Sequence, residues 1–351
     1  MKKKVLLGMS GGLDSSVSAL LLLQQGYDVL GATMRLRPEQ FDPMHAQQKD
    51  IEDAAAVCSV LGIPHIELDF TEPITRKVLD YFTDEYFSGR TPNPCIACNR
   101  NLKFGLLLDY ALAHGCDAIA TGHYADIRYD STLGRWLLRK TPSRKDQSYV
   151  LYHLTQRQLS HTLFPMLSLE KAEARALAEQ YRLPVAQKPD SQDICFIPDG
   201  NYAAFLERYT GRKAKTGPFV DEQGNILGEH RGVTHYTIGQ RKGLGAAFGK
   251  PMYVTRINSV DNTVTLGEEG SQYASTLIAD DVNFIPFDKL AHSLPAMVKV
   301  RYQAPPAPAV LHPLENGSIR VQFETPQRSV TPGQAAVFYQ NDLVLGGGTI
   351  R

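Results

Sequence analysis

No stretch of this chain approaches the roughly 18 uncharged apolar residues that a membrane-spanning helix requires. Its longest apolar runs are Val5 to Met9 and Ala19 to Leu23, so no membrane attachment is expected. An excess of either charge is lacking too: 37 Lys and Arg are matched by 37 Asp and Glu. No global field draws in nucleic acid, and any such contact must rest on a local patch. Cysteine is scarce, five in 351 residues, odd in number and irregularly spaced. That excludes a secreted disulfide framework and makes reduced thiols in a cytoplasmic protein the expectation. The basic start Lys2-Lys3-Lys4 does not read as a secretory leader, because Ser10-Gly11-Gly12 and Asp14 break the apolar run behind it. Internal repeats and low-complexity tracts are absent as well.

What is present is the composition of an ordered globular protein, 43% hydrophobic and 21% charged, with length for about two to three domains. From Val5 to about Ala125 short apolar runs alternate with helical periods. Val5–Leu7, Val29–Thr33, Ile66–Phe70 and Ala118–Ala120 read as strands. Ser15–Gln25, Asp50–Leu61 and Lys103–Ala113 read as helices, ended by Gly26, Gly62 and Gly115. Alternation of this kind predicts an α/β fold with a doubly wound parallel sheet. The stretch from Leu151 to Tyr209 reads as a helical linker, with Ser168 as N-cap of a helix over Leu169–Tyr181. After Gly211, segments such as Tyr253–Ile257 and Ile319–Phe323 predict two small antiparallel β modules, the second barrel-like, meeting near Ser275. The expected divisions are 1–150, 151–210, 211–275 and 276–351.

The first strand runs into Gly8-Met9-Ser10-Gly11-Gly12-Leu13-Asp14-Ser15-Ser16 and straight on into a helix. Glycines admit close backbone approach, N–H groups and Ser hydroxyls donate to phosphate oxygens, and the helix start adds partial positive charge. Asp14 can hold Mg²⁺ against the same phosphates. A plain strand-to-helix turn capped by Ser is the alternative. The loop has neither the Walker lysine nor the Gly-x-Gly-x-x-Gly pattern. Ser10 to Ser15 does resemble the signature of the ATP pyrophosphatases, which cleave ATP to AMP and pyrophosphate while adenylating an oxygen.

Cys58 and Cys116 read as packing residues. Cys95 and Cys98 lie in Thr91-Pro92-Asn93-Pro94-Cys95-Ile96-Ala97-Cys98-Asn99-Arg100, where two prolines stiffen a loop ahead of a helix. A thiol at a helix N-terminus is expected to have a lowered pKa. Cys195, in Ser191-Gln192-Asp193-Ile194-Cys195-Phe196, is either a third reactive thiol or a buried strand cysteine. No second Cys-x-x-Cys or His pair closes a zinc tetrahedron. A pyrophosphatase-like loop together with two or three thiols points to adenylation followed by sulfur transfer.

Between Arg135 and Asp146 five basic residues, Arg135, Arg139, Lys140, Arg144 and Lys145, face one acid, and the only tryptophan, Trp136, lies among them. Such a strip neutralises phosphates while a neighbouring aromatic stacks a base, or it is an ordinary solvated hairpin. Arg241 and Lys242 in a Gly-rich turn would extend the surface.

Six blocks in order, Gly8 to Ser15, Gly89 to Pro94 with Cys98-Asn99, Ala120 to Tyr124, Lys145 to Tyr149, Ser191 to Phe196 and Tyr236 to Gly243, resemble the bacterial tRNA-specific 2-thiouridylases. The resemblance runs from Lys4 to about Gly348. It implies that Cys195 carries a persulfide and that Cys98 is the second catalytic thiol. It implies ATP contacts from Gly8 to Ser15 (Gly8, Met9, Ser10, Gly11, Gly12, Leu13, Asp14, Ser15), Met34 and Gly122. It also implies tRNA contacts at Asn93, Pro94, Cys95, His123, Lys145, Asp146, Gln147, Arg301, Tyr302 and Gln334. His123 after Thr-Gly reads equally as a satisfied turn residue. At Cys95 familiar members have Asp, so this chain carries Cys-x-x-Cys in place of Asp-x-x-Cys.

The expected activity is ATP-dependent 2-thiolation of a wobble uridine in tRNA. ATP and Mg²⁺ are required, and a cysteine desulfurase or sulfur-relay protein is the donor. One alternative uses an iron–sulfur cluster on Cys95, Cys98 and Cys195. Others are adenylation of a small molecule, which needs no paired thiols, and a non-catalytic tRNA-binding protein with a vestigial nucleotide loop.

Overall fold

The computed structural model describes residues 2–42, 45–189, 194–197 and 199–351, so Ser191, Gln192 and Asp193 of the fifth block lie outside the described residues. Two compact units form: Met1–Val78 with Cys95–Phe196 and Asp342–Leu345, and Leu79–Pro94 with Ile197–Asn341 and Gly346–Arg351.

The first unit holds strands β1 (Lys4–Gly8), β2 (Asp28–Arg35), β3 (His65–Asp69), β4 (Ala118–Ala120), β5 (Asp126–Asp130), β6 (Arg135–Arg139) and β7 (Thr162–Leu163). Five of them make a parallel sheet in the order β3-β2-β1-β4-β7. Apolar residues occupy consecutive positions in β1, and Val5, Leu6 and Leu7 are fully buried, as a strand covered on both faces requires. Each such side chain contributes about 1.5–3 kcal/mol by leaving water. The helix Leu13–Gln24 follows β1, and Ala46–Leu61 follows β2. Val17 and Leu22 from the first, and Ala54, Val57 and Cys58 from the second, share one core with Val5 and Leu7. Cys58 belongs to that packing, as expected from its helix face.

Three expectations need correction. The helix over Lys171–Gln180 is capped by Glu170, reciprocally with Glu173, so Ser168 is not its N-cap. The linker region contributes β7, whose two residues join the sheet edge at Ile119↔Thr162 and Ala120↔Leu163. The helix expected from Lys103 begins at Pro94, runs as α-helix to Cys98, as π-helix over Asn99–Leu106, and as α-helix again over Leu107–Ala113. Proline is at home at a first helical position, where its missing N–H has no partner to lose.

The hairpin β5–β6 joins Asp126↔Arg139 through Asp130↔Arg135. Within the same unit Arg139 pairs with Asp342 at 2.9 Å.

The second unit carries β8 (Gly217–Val220), β9 (Ile226–His230), β10 (Tyr253–Asn258) and β11 (Thr263–Gly267) in the order β10-β11-β8-β9. They close over Phe219, Tyr236, Leu244, Met252, Val254, Val264 and Leu266. Then come β12 (Tyr273–Phe284), β13 (Leu294–Lys299), β14 (Ala307–Pro313), β15 (Ile319–Arg328), β16 (Ala335–Gln340) and β17 (Leu343–Ile350), of which Gly346–Ile350 belong to this unit. These follow the order β12-β15-β14-β13-β16-β17, and β17 returns to β12 through Ala279↔Ile350 and Phe284↔Gly346. Closure of this kind removes the edges and makes a barrel.

Candidate active site

The sheet order reverses at β1, which has β2 on one side and β4 on the other, and the crevice beyond the strand C-termini at such a point is where α/β folds bind ligands. Gly8 to Ser15 turns there. Gly11 has φ +66° and a Cβ on it would run into the Asp50 backbone, so glycine is required. Gly12 caps the next helix with no side-chain hydrogen bond, and the first-turn N–H groups that a helix leaves unsatisfied can receive an anion. The Ser10 amide donates to Ser15 Oγ, and the Ser10 and Ser15 hydroxyls also lie within hydrogen-bond reach, both at 3.2 Å. Met9 and Leu13 are buried beneath the loop. Gly122, after β4, backs directly onto it, with the place of its absent Cβ 2.9 Å from Asp14 C and Ser15 N. Met34, near the end of β2, is half-buried.

Three residues to which the sequence patterns assign no role surround this loop. Tyr124, fully buried, donates its hydroxyl to Asp14 Oδ1 at 2.9 Å. Lys171 Nζ donates to the same oxygen at 2.8 Å. Lys188 Nζ donates to the Gly11 carbonyl at 2.9 Å, to Asp50 Oδ1 at 2.9 Å and to Asp53 Oδ2 at 2.6 Å. The loop contains no lysine of its own, and these two arrive from more than 150 positions downstream. Their only sequence signal was the absence of a lysine at the expected place.

All five cysteines are thiols in this structure. Cys98 is buried and Cys95 exposed on the helix from Pro94; Cys195, also exposed, lies near enough to both that their charges interact. The expected lowering of thiol pKa at the helix N-terminus is overturned. Burial pushes Cys98 up to about 12. Cys95 and Cys195, although solvent reaches them, are crowded by protein and also raised, chiefly by desolvation. One cation, Lys103, opposes the rise at all three, and Arg37 adds to it at Cys195. Cys58 is raised to about 11 by burial alone, and Cys116 is raised as well.

His123 is buried between Phe104 and Phe164, with ring centroids 5.7 and 6.0 Å away, and Nδ1 lies 2.7 Å from Thr121 Oγ1. Desolvation first, and Lys103 second, hold its pKa well below the usual histidine value, so it is neutral at pH 7.

The other residues matched to tRNA contacts are distributed between the units. In the first, Lys145 is exposed, as is Arg144. Asp146 accepts from Thr141 N and Ser148 Oγ at 3.0 and 2.8 Å, and Gln147 Oε1 accepts from Tyr124 N at 3.1 Å; both carry structural bonds. In the second, Pro94 is buried and Asn93 half-buried. Gln334 donates to the Thr91 carbonyl at 2.8 Å, and Arg301 donates to Ile238 O and Thr331 Oγ1 at 2.9 and 2.6 Å. Tyr302 is 40% exposed, with Lys299 Nζ 5.7 Å from its ring centre. Arg241 and Lys242 are exposed, and Arg241 lines a cavity together with Leu244, Phe248 and Met252.

Among the described residues no group of three or more His, Cys, Asp or Glu side chains is arranged to hold a metal ion. Cys95, Cys98 and Cys195 are thus not grouped as ligands of a single metal ion. Mg²⁺ places a lighter demand, one carboxylate with substrate phosphates and water. Asp14 meets it: Tyr124 and Lys171 engage Oδ1, and Oδ2 makes no hydrogen bond among the described residues. No helix among them is long and apolar enough to cross a membrane.

Family models cover most of the chain. A tRNA methyl transferase HUP domain matches residues 3–199, a tRNA methyl transferase PRC-barrel domain 203–268, and an aminomethyltransferase beta-barrel domain 274–350. The tRNA-specific 2-thiouridylase MnmA of Acetivibrio thermocellus is 52% identical over all of this chain and 99% of its own. That of Caldicellulosiruptor saccharolyticus is 52% identical with the same coverage. A solved 4-thiouridine synthetase–RNA complex with bound ATP covers 60% of this chain and 50% of that one at 16% identity. Its TM-score of 0.36 is too low to carry an argument. With half its residues shared over full length with these relatives, the chain belongs to the tRNA-specific 2-thiouridylase family.

Proposed function

We propose that this enzyme adenylates the C2 oxygen of a wobble-position uridine in tRNA and replaces that oxygen with sulfur. The observation that carries the reading is the presence, in one compact unit, of an anion-receiving loop at the sheet switch point and a group of three electrostatically coupled thiols. C2 oxygen is a poor leaving group, so it attacks the α-phosphorus of ATP and pyrophosphate departs. The loop amides, the Ser10 and Ser15 hydroxyls and the Leu13–Gln24 helix start receive the phosphates. Mg²⁺, when bound at Asp14, supplies charge neutralisation there. Gly122 keeps the loop backbone in place from behind, and Met34 borders the nucleotide.

Sulfur transfer is assigned to Cys195 and Cys98. The terminal sulfur of a Cys195 persulfide attacks C2. The Cys98 thiolate then attacks Cys195 Sγ, forming the Cys98–Cys195 disulfide and leaving one sulfur on C2, which expels AMP. A thiol reductant reopens the disulfide, and a persulfide-bearing desulfurase or relay protein reloads Cys195. Cys95, where relatives with the familiar pattern have Asp, lies in the first turn of the helix from Pro94, and we assign it to the side that meets the target base. An iron–sulfur cluster on Cys95, Cys98 and Cys195 draws no support from their arrangement.

For tRNA we assign Asn93, Pro94, His123, Lys145, Tyr302 and the strip Arg135–Lys145 as contacts. Asp146, Gln147, Arg301 and Gln334 act there by shaping the surface they are bonded into. The divisions 1–150, 151–210, 211–275 and 276–351 remain our functional partition, and a tRNA substrate places the reaction in the cytoplasm. Pyrophosphate release with and without unmodified tRNA tests the reading. Release that depends on tRNA supports it; release with a small molecule alone points to small-molecule adenylation, and tRNA binding with no release points to a non-catalytic binder.

A further inference from the structure

The helix that carries Cys95 and Cys98 changes its winding at Asn99. An α-helix turns roughly 100° per residue, whereas a π-helix, with i→i+5 bonds, turns roughly 80°. Five α-helical steps from Cys98 would leave Lys103 about 140° around the axis; five π-helical steps leave it about 40° away, and about 20° from Cys95. The π segment over Asn99–Leu106 thus brings Lys103 onto the thiol face. Asn99 anchors the start of that segment by donating from Nδ2 to the Val150 carbonyl at 3.0 Å.

Lys103 is half-buried and, among the described residues, makes no hydrogen bond or ion pair. Its charge reaches Cys95 and Cys98 on its own helix, Cys195 on the segment after Ile194, and His123 after β4. Arg37 also bears on this group, at Cys195. His123 is neutral, so it neither competes for nor repeats that charge.

We propose that Lys103 is a positioning residue for sulfur transfer: its ammonium holds the anionic sulfur, thiolate or terminal persulfide, that the thiol face must present to the activated base. Lys103 forms no covalent bond and transfers no proton in this role. The inference rests on the sulfur-transfer reading above but is measured separately from it.

The test is alkylation of Cys95 and Cys195, followed by peptide mass spectrometry, with neutral iodoacetamide and anionic iodoacetate at one pH. An ammonium beside the thiols favours the anionic reagent. Lys103→Met and Lys103→Gln should each lower the iodoacetate-to-iodoacetamide rate ratio by roughly threefold or more, and Lys103→Arg should restore it. Thiolation should fall at least tenfold in Met and Gln variants of unchanged melting temperature and recover in Arg, with tRNA-dependent pyrophosphate release retained. An unchanged reagent ratio in both neutral variants overturns the proposal, and so does a lowered ratio with full thiolation. If the unaltered enzyme thiolates no tRNA, the sulfur-transfer reading fails, while the reagent ratio still reports the Lys103 charge.

Discussion

Lys171 Nζ lies 2.8 Å from Asp14 Oδ1, an ion pair closed across 157 positions of sequence. It neutralises the one carboxylate in the phosphate loop, and Mg²⁺ can perform the same task. Lys171→Met should therefore weaken ATP binding severalfold at low Mg²⁺ and lose most of that effect when Mg²⁺ is raised, since the metal then supplies the missing charge. Titration calorimetry at two Mg²⁺ concentrations measures it; a loss independent of Mg²⁺ would show that Lys171 acts by another route.

Gly122 gives a steric test of the same loop. A Cβ there would stand 2.9 Å from backbone atoms of Asp14 and Ser15, and backbone cannot swing aside as a side-chain tip can. Gly122→Ala should cut tRNA-dependent pyrophosphate release by an order of magnitude or more with a cooperative melt retained. Full activity in that variant would remove Gly122 from the site.

These two examples show where sequence reading reached and where it stopped. The loop was legible because its chemistry is local: consecutive amides, two hydroxyls and a helix start in six residues. β4 was legible as Ala118–Ala120 because apolar periodicity and a preceding glycine bound it on sight. Lys171, Lys188 and Tyr124 were not, since their partners are brought to them only by folding. The helix start at Pro94, nine residues before Lys103, is not legible because two prolines suggest a loop and a π-helical stretch does not follow the 3.6-residue period by which helices are read. The thiols are raised rather than lowered because the benefit of a helix start is smaller than the penalty of burying a thiolate.

The raised thiols have a consequence for stability. Cys58 moves from 9.0 to about 11 and Cys98 from 9.0 to about 12, both because burial disfavours the thiolate. A group whose pKa is raised by folding contributes fully below its unfolded value and loses that contribution as pH rises through the folded one. The melting temperature should fall as pH climbs from about 9 towards 11, and Cys58→Ala should flatten that slope while lowering stability at neutral pH. Thermal denaturation from pH 7 to 11 tests it; equal slopes for both proteins would contradict the assignment to Cys58.

The basic strip from Arg135 to Lys145 offers a test of RNA docking that does not involve the chemistry. Arg139 is committed to Asp342, whereas Arg144 and Lys145 are exposed. Replacing Lys140, Arg144 and Lys145 with Ala should weaken tRNA binding and reduce its salt dependence by about one unit of slope per lost phosphate contact. A weaker complex with an unchanged salt slope would return the strip to ordinary surface.

The central claim is that sulfur passes from Cys195 to the base while Cys98 closes the exchange. Its most direct measurement is one turnover of enzyme carrying a radiolabelled Cys195 persulfide, mixed with ATP and unmodified tRNA and no sulfur donor. The account predicts labelled 2-thiouridine together with equal amounts of unlabelled AMP, pyrophosphate and Cys98–Cys195 disulfide, whereas in Cys98→Ser the labelled sulfur stays bonded to Cys195 and no free 2-thiouridine forms. Label that never reaches the tRNA, or reaches it equally well in Cys98→Ser with no disulfide formed, would contradict it.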